Sequence, residues 1–502
     1  MRVQRSRLIA ACAVFLVCVT ATTASQGQTF TTLVSFGSTN GANPEAALVQ
    51  GIDGNFYGTA GLGGANNEGT VFRITPNGTL ATLYSFCTQP NCADGAAPTA
   101  ALTLGNDGNF YGTTVSGGTS NSGTVFKITP TGAINTLYNF CAQAFCTDGR
   151  YPAAPLILGS DGNLYGTARF GGNTEDGTVF KITPEGILTV LHQFCPEPDC
   201  GLGERPEAAL LEASDGSFYG TTTEDDLFGG LRKGTIFKLT AAGRFSTLYR
   251  FRCSSTDCTD GEYPRAGLVQ GIDGNFYGTT AGASNRSFSD STVFKITSVG
   301  DLTTLYRFCS QPNCADGTLS EAPLVLATDG NFYGTSSKGG ANFFSSPLGQ
   351  GTIFSITSNG ELTTLHSFCF RTRGCDDEGA VPLAGLLQAT DGTFYGTTAN
   401  GGDRSSPCPR AGCGTVFNLD VGLGPFVAFV QPIGKIGRTA QILGQGLTGT
   451  TSATFNGVPA TTFKVLRDTY MTAVIPAGAT TGPVVVTPPS GTLTSNKNFV
   501  VR

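Results

Sequence analysis

The heptapeptide Asp-Gly-Asn-Phe-Tyr-Gly-Thr constrains this chain more than any other feature. It begins at Asp53, Asp107, Asp273 and Asp329, and close variants begin at Asp161, Asp215 and Asp391. The seven copies recur at a period of about 54 residues, lengthening toward the C-terminus, and a fixed period of this kind signals a repeat architecture. With 502 residues the chain exceeds one ordinary core, so repeats or several domains are expected.

One copy, Ala101 to Phe140, reads as four short strands. Apolar residues 101–104 precede Asp107-Gly108, a hairpin signal because both residues tolerate positive φ. Phe110 to Thr114 is a second strand, rich in aromatic and β-branched residues, and residues 116–122 form a loop. Gly123 to Thr129 is a third strand, Pro130-Thr131-Gly132 turns the chain, and Ile134 to Phe140 is the fourth. No segment has helical periodicity. Four antiparallel strands per unit, in tandem, is the pattern of a β-propeller blade, so seven blades are expected. A β-helix has shorter rungs and lacks two hairpin turns per repeat.

The ends fit a closed ring. Residues 30–36 match the fourth-strand segment 80–86 but precede the first Asp-Gly copy. The last copy stops after Gly414-Thr415-Val416-Phe417 without a fourth strand. The N-terminal strand is therefore expected to complete the seventh blade, which removes two free sheet edges.

Residues 1–28 read as a secretory signal peptide: Arg2, Arg5 and Arg7 precede an apolar run from Leu8 to Val19, followed by small residues. The run is too short to span a bilayer, and no later sequence reads as an anchor. Cys12 and Cys18 fall in this leader. The other cysteines form seven close pairs: Cys87/Cys92, Cys141/Cys146, Cys195/Cys200, Cys253/Cys258, Cys309/Cys314, Cys369/Cys375 and Cys408/Cys413. Regular pairs behind a signal peptide imply disulfides in an oxidising compartment, secreted or cell-surface, with periplasmic retention as a variant. Zinc sites need a second pair or His nearby, which most of these pairs lack, so no metal and no cofactor is expected. The formal charge is −6, and more negative once the leader is set aside, with no basic cluster; nucleic acid is not an expected partner.

The motifs Asp-Gly-Asn-Phe-Tyr-Gly-Thr-Thr, Gly-Thr-Val-Phe-Lys-Ile-Thr and Leu-Thr-Thr-Leu-Tyr-x-Phe, in that order, resemble the secreted bacterial GloVer repeats over roughly residues 30–420. Copy five departs at Ser291, where the others have Gly. The resemblance implies a repeat array carried with differing C-terminal segments, and it implies no defined activity.

After a linker at 421–425 the pattern changes. Ile442-Leu443-Gly444-Gln445-Gly446-Leu447, Ala453-Thr454-Phe455-Asn456-Gly457 and residues 474–482 resemble an IPT/TIG domain, which implies an immunoglobulin-like β-sandwich over 426–502. The expected fold is all-β: a seven-bladed β-propeller over 29–420 followed by this small sandwich.

The repeated Asp could be read as acids or metal ligands, but a catalytic group is needed once or twice, whereas a hairpin is needed in every blade. His192 and His366 stand where other copies have Tyr84, Tyr138, Tyr249 and Tyr306, and read as aromatic packing positions. Lys127, Lys181, Lys238 and Lys295 recur at one strand position and read as interblade or solvent-facing groups. Repeat-breaking carboxylates, Glu224-Asp225-Asp226 and Asp376-Asp377-Glu378, could serve glycoside hydrolysis, and acidic loops are also ordinary solvated surface.

No catalytic residue is assigned. The first reading is a secreted or surface binding scaffold recognising glycan or protein. Its alternatives are a polysaccharide hydrolase or lyase and a purely structural or adhesive surface protein. The variable second-to-third loops and the cysteine loops share one face, and loops on a rigid scaffold carry binding groups. Ligand contacts are therefore expected at Glu224, Asp225, Asp226, Arg286, Phe343, Phe344, Asp403 and Arg404.

Overall fold

The computed structural model describes residues 27–195, 203–224, 232–252, 258–282, 291–341, 349–369, 378–402, 408 and 412–502. Residues 1–26, most of the expected signal peptide, lie outside them. The described residues are all β, with short 3-10 turns and no α-helix. No helix among them is long and apolar enough to cross a membrane.

Each of the first six repeats folds as a four-stranded antiparallel sheet in sequence order. In the second repeat the strands are Thr103–Leu104, Phe110–Thr114, Thr124–Ile128 and Ile134–Asn139. The Asp-Gly turn works as the residue types suggest. Gly54 adopts φ +80, and Asp53 accepts the Asn55 backbone N–H, the Asn55 amide and the Tyr57 hydroxyl. The Tyr-to-Asp bond recurs in every copy at 2.9–3.0 Å. Lys127 and Lys238 add ion pairs to Asp107 and Asp215 of their own repeats, at 2.6 and 2.8 Å. These lysines are thus tied within one sheet rather than between sheets. Lys127 stands one register pair from the turn, opposite Tyr111.

The motif also explains how neighbouring sheets meet. A Cβ on Gly58 would lie 2.5 Å from Phe72 Cζ, so only glycine lets the third-strand Phe cross there. Tyr57 stacks on Phe110 of the next repeat with ring centroids 4.0 Å apart, and the same contact joins Tyr165 to Phe218, Tyr219 to Phe276, Tyr277 to Phe332 and Tyr333 to Phe394. Buried Thr59, Thr113, Thr167, Thr221, Thr279 and Thr335 each donate to a carbonyl of the following repeat. The series returns to its start: Tyr395 packs on Phe56 at 4.1 Å, and Thr397 donates to Ala46 O at 3.1 Å.

The N-terminal strand Thr29–Ser35 supplies the missing fourth strand. It runs antiparallel to Thr415–Asp420, with Phe30 opposite Leu419 and Ser35 opposite Thr415. Phe30 stacks on His366 at 3.9 Å and on Phe417 at 5.4 Å.

The departure at Ser291 has a partner. In other copies the Gly at this position packs on a proline of the next repeat: a Cβ on Gly69 would sit 2.4 Å from Pro98 Cδ, and one on Gly414 2.5 Å from Pro44 Cδ. Where Ser291 replaces Gly, Ser320 replaces Pro. Its freed backbone N–H donates to Ser291 Oγ at 3.1 Å.

The segment after residue 425 forms two four-stranded sheets around one core that includes Val427, Ile442, Phe455, Met471, Val484, Val486 and Phe499. Within the expected linker, Val421 and Leu423 pack on the core of the last repeats.

Disulfides join Cys87–Cys92, Cys141–Cys146, Cys309–Cys314 and Cys408–Cys413. Cys195, Cys258 and Cys369 are also disulfide-bonded. Their expected partners Cys200, Cys253 and Cys375 lie outside the described residues.

Candidate functional site

In a sheet of four sequential strands, the first and third connections share one end and the second and fourth share the other. The first end carries the Asp-Gly turns, and the C-terminal module sits on it. Leu443 and Tyr470 enter one apolar cluster with Tyr57, Leu104 and Phe110, with Ile52 packed alongside. Thr469 Oγ1 donates to Ile52 O and Gln441 Nε2 to Asn106 O, both at 2.8 Å; Gln431 Nε2 donates to Gly159 O. Arg502 donates to Ser160 Oγ at 2.8 Å and pairs with Glu212 at 2.9 Å. Phe426 N and Gln445 Nε2 reach Thr390. Nothing stands within 4 Å of a Cβ built on Gly162, Gly274 or Gly330, in the turns of the third, fifth and sixth repeats.

The opposite end holds the cysteine loops. In four repeats a Tyr hydroxyl of the outer strand donates to a loop Asp: Tyr84 to Asp94, Tyr138 to Asp148, Tyr249 to Asp260 and Tyr306 to Asp316, at 2.7–2.8 Å. Asp94 also accepts two loop backbone N–H groups. Where the aromatic becomes His366, the acid becomes Glu378, paired with it. Where it becomes His192, the ring Nε2 has no hydrogen-bond partner among the described residues, the ring stacks on Phe245 at 3.8 Å, and burial pushes its pKa down to about 4. These groups hold loops in place. Both histidines are packing residues, as their positions in the repeat suggest.

Inside these loops the repeats share a backbone and differ in side chain. In six repeats the second strand ends in an antiparallel bridge to the chain entering its own inner strand: Ala42 to Leu62, Ala96 to Ser116, Arg150 to Phe170, Glu204 to Glu224, Thr318 to Lys338 and Ala380 to Asn400. The next residue adopts a left-handed φ of 53–58° in every repeat: Asn43, Ala97, Tyr151, Arg205, Tyr263, Leu319 and Val381. That conformation is strained for any non-glycine residue, most of all a β-branched one. Hydrogen bonds on both sides hold it. Ala97 N donates to Glu68 O of the preceding repeat, and Ala97 O accepts from Val115 N of its own. Two residues further on stand Glu45, Thr99, Ala153, Glu207, Arg265, Glu321 and Leu383.

Charge and aromatic surface concentrate in the third to sixth repeats at these positions. Arg169, Arg205 and Arg150 place their guanidinium carbons 5.1, 5.6 and 5.8 Å from the Phe170 ring centre. Tyr151 meets Phe170 edge-on at 6.1 Å. Each guanidinium holds its own carboxylate: Arg150–Glu175 at 2.8 Å, Arg169–Glu207 at 2.7 Å, and Arg205–Glu224. Lys233 Nζ donates to Tyr263 OH at 2.7 Å, and Arg265 pairs with Glu321 at 3.1 Å. Glu45, from the first repeat, has its carboxyl pKa pushed up by burial and by the negative charge of Glu321. The seventh, first and second repeats offer Ala380, Val381, Leu383, Ala42, Asn43, Ala96, Ala97 and Thr99 at the same places, with Glu45 the one charged residue among them.

Of the ligand contacts expected from sequence, Glu224 lies in this cluster, bridged to Glu204 and paired with Arg205. Asp225, Asp226, Arg286, Phe343, Phe344, Asp403 and Arg404 lie outside the described residues. Sequence reasoning looked at loop insertions and passed over Arg150, Arg169, Phe170, Arg205 and Glu207. Aligning the repeats on their Pro-x-Ala step exposes them. Among the described residues no group of three or more His, Cys, Asp and Glu side chains could hold a metal ion.

A family model described as the Gloeobacter/Verrucomicrobia repeat matches residues 18–158 and 142–346. These stretches span more than half of the 502 residues. The chain belongs to the Gloeobacter/Verrucomicrobia repeat family. The family match ends before the seventh Asp-Gly copy at Asp391, which keeps the same sheet and the same Tyr-to-Asp bond. A comparison with curated proteins gives no match. Among solved structures the chain is similar to a fungal alcohol oxidase of the AA5 family, in complex with copper, at 14% identity and a TM-score of 0.51, covering 93% of this chain and 98% of that one. That likeness shows the fold alone. Similarity also extends to a PQQ-bound aldose sugar dehydrogenase from Streptomyces coelicolor (12% identity, TM-score 0.37, 78% and 98% covered). A luciferin-regenerating enzyme gives 12% identity and a TM-score of 0.39, with 80% and 98% covered. Neither score carries an argument about this Gloeobacter/Verrucomicrobia repeat protein.

Proposed function

We propose that this chain is a secreted or cell-surface, non-catalytic binding protein. In this reading residues 29–420 are a seven-bladed β-propeller, 426–502 an IPT/TIG-type immunoglobulin-like module, and 1–28 a signal peptide. The stacking series that returns from Tyr395 to Phe56 supports the closed ring. The disulfides suit an oxidising compartment. One observation carries the binding reading. Side chains differ between repeats at fixed backbone positions on one end, while the invariant end is largely occupied by the C-terminal module. A recognition surface needs such variety on a rigid frame. A uniform structural platform does not.

The ligand is a glycan or a surface protein. The test is a glycan array together with capture of proteins from extracellular fractions, each run with wild type and with the variable end altered. Binding that survives substitution throughout that end would move the site elsewhere. A second reading, polysaccharide hydrolysis, draws on Glu45 and its electrostatic coupling to Glu321. A carboxyl whose pKa is pushed up by burial beside a second carboxyl group is the arrangement of a general acid and its partner. Product release from a panel of polysaccharides, lost in Glu45→Gln, would establish it.

A further inference from the structure

The cluster around Phe170 is unlike the corresponding place in any other repeat, and its composition specifies a ligand chemistry. Three guanidinium groups converge on one aromatic ring at 5.1–5.8 Å. Like charges so close would repel, yet each is neutralised by a different carboxylate: Glu175, Glu207 and Glu224. None of the three pairs is sealed. The Arg side chains are 33%, 41% and 36% exposed, and Glu175 and Glu224 are 48% and 36% exposed. The surface therefore offers forked donors and acceptors side by side, in fixed registry, around the half-buried Phe170 face.

Donors and acceptors set side by side in this way suit a ligand whose own groups both donate and accept. Vicinal hydroxyls do so: each accepts from a guanidinium N–H and donates to the adjacent carboxylate. A polyanion would meet three carboxylates, and a polycation three guanidinium groups. We infer that Phe170, with the Arg150–Glu175, Arg169–Glu207 and Arg205–Glu224 pairs, forms a subsite for one pyranose unit of an uncharged polysaccharide. The inference rests on the binding reading above and narrows it to one place and one ligand class.

The protein contains its own control. The second repeat makes the same bridge with Ala96 and Ser116 where the third has Arg150 and Phe170. Arg150→Ala combined with Phe170→Ser therefore copies a pair already housed on this backbone. The test is calorimetric titration of the full mature chain with xylohexaose, mannohexaose and cellohexaose, and with an oligogalacturonate of equal length as the charged counterpart. The expected result is binding of at least one neutral hexaose, weakened at least about tenfold in the double variant and in Arg169→Met, with an unchanged melting temperature in the double variant. Preference for oligogalacturonate overturns the ligand class and leaves the binding reading standing. Neutral-hexaose binding that both variants retain overturns the location. Failure to bind any of the four sugars overturns the inference, and capture of a protein ligand on the same end would still leave the broader reading intact.

Discussion

The ring of Tyr395 packs against that of Phe56, centroids 4.1 Å apart, so the last Asp-Gly copy ends on the first. In the same sheet as Tyr395, Thr29–Ser35 fills the outer place beside Thr415–Asp420. Removing residues 27–36 exposes a sheet edge and unpacks Phe30 from His366 and Phe417. We predict a larger fall in Tm for this deletion than for deletion of 426–502, with concentration-dependent aggregation. Phe56→Ala, at a 1% exposed site, should cost about 3–5 kcal/mol in denaturant unfolding. Equal Tm losses for the two deletions would remove the closing role from the first strand.

The Asp-Gly turns make stability fall in acid. Burial opposes ionisation of Asp107, but Lys127, Asn109 and the Tyr111 hydroxyl outweigh it and hold its pKa at about 2. A carboxyl with its pKa depressed in the folded state stabilises above its unfolded pKa, and the contribution disappears as pH falls toward the folded value. Asp107→Asn should therefore lower stability at pH 7 by about 1 kcal/mol, a modest figure because the pair is partly exposed. The gap from wild type should close between about pH 4 and pH 2. A gap constant across that range would show that the carboxylate charge contributes nothing.

His192 acts in a higher pH range. Its folded pKa, about 4, lies below the ordinary imidazole value. Between those values the unfolded chain binds more protons, so folded stability declines as pH drops through that window. His192→Phe keeps a ring against Phe245 and removes the titration. We predict that wild type loses about 1–2 kcal/mol more than this variant between pH 7 and pH 4. Parallel Tm–pH curves would contradict it. His366, paired with Glu378, serves as an internal comparison.

The C-terminal module is expected to melt together with the repeats. Leu443 and Tyr470 are 6% and 9% exposed in a cluster shared with Tyr57 and Phe110. Leu443→Asp would bury an unpaired carboxylate there. The expected outcome is a second calorimetric transition and new proteolytic cutting near residues 421–425, with the repeat sheets still folded by circular dichroism. A single unchanged transition would show that the module is held without this contact.

Much of the fold is legible in the sequence because one motif states the same physics seven times. Asp, Gly and Tyr in fixed order specify a turn and its hydrogen bond. Strand limits in the second repeat fall within a residue or two of those read from pattern alone. The out-of-place strand at 30–36 was readable as a fourth strand without its first three. The docking of the C-terminal module was not legible. Three of its hydrogen bonds go to carbonyls of Ile52, Asn106 and Gly159, and a carbonyl leaves no signature in side-chain identity. The Phe170 cluster was passed over for a different reason. Arg150, Arg169 and Arg205 pose no departure from loop length, only from residue type, and become neighbours through bridges that a linear reading does not draw. The exchange of Gly and Pro for Ser291 and Ser320 was half visible: the lost Gly could be seen, but its partner lies in the next repeat.

The strained residue before each inner strand has a consequence for how such proteins diversify. Seven times this backbone has accepted a side chain in the left-handed region, and the occupants are Asn, Ala, Tyr, Arg, Tyr, Leu and Val. The conformation is imposed by two flanking hydrogen bonds made by the main chain, so no particular side chain has to maintain it. Specificity and foldability are thereby uncoupled. A new contact surface can arise by copying residues from one repeat into another, a horizontal exchange within a single gene, without a folding intermediate ever meeting an untried local geometry.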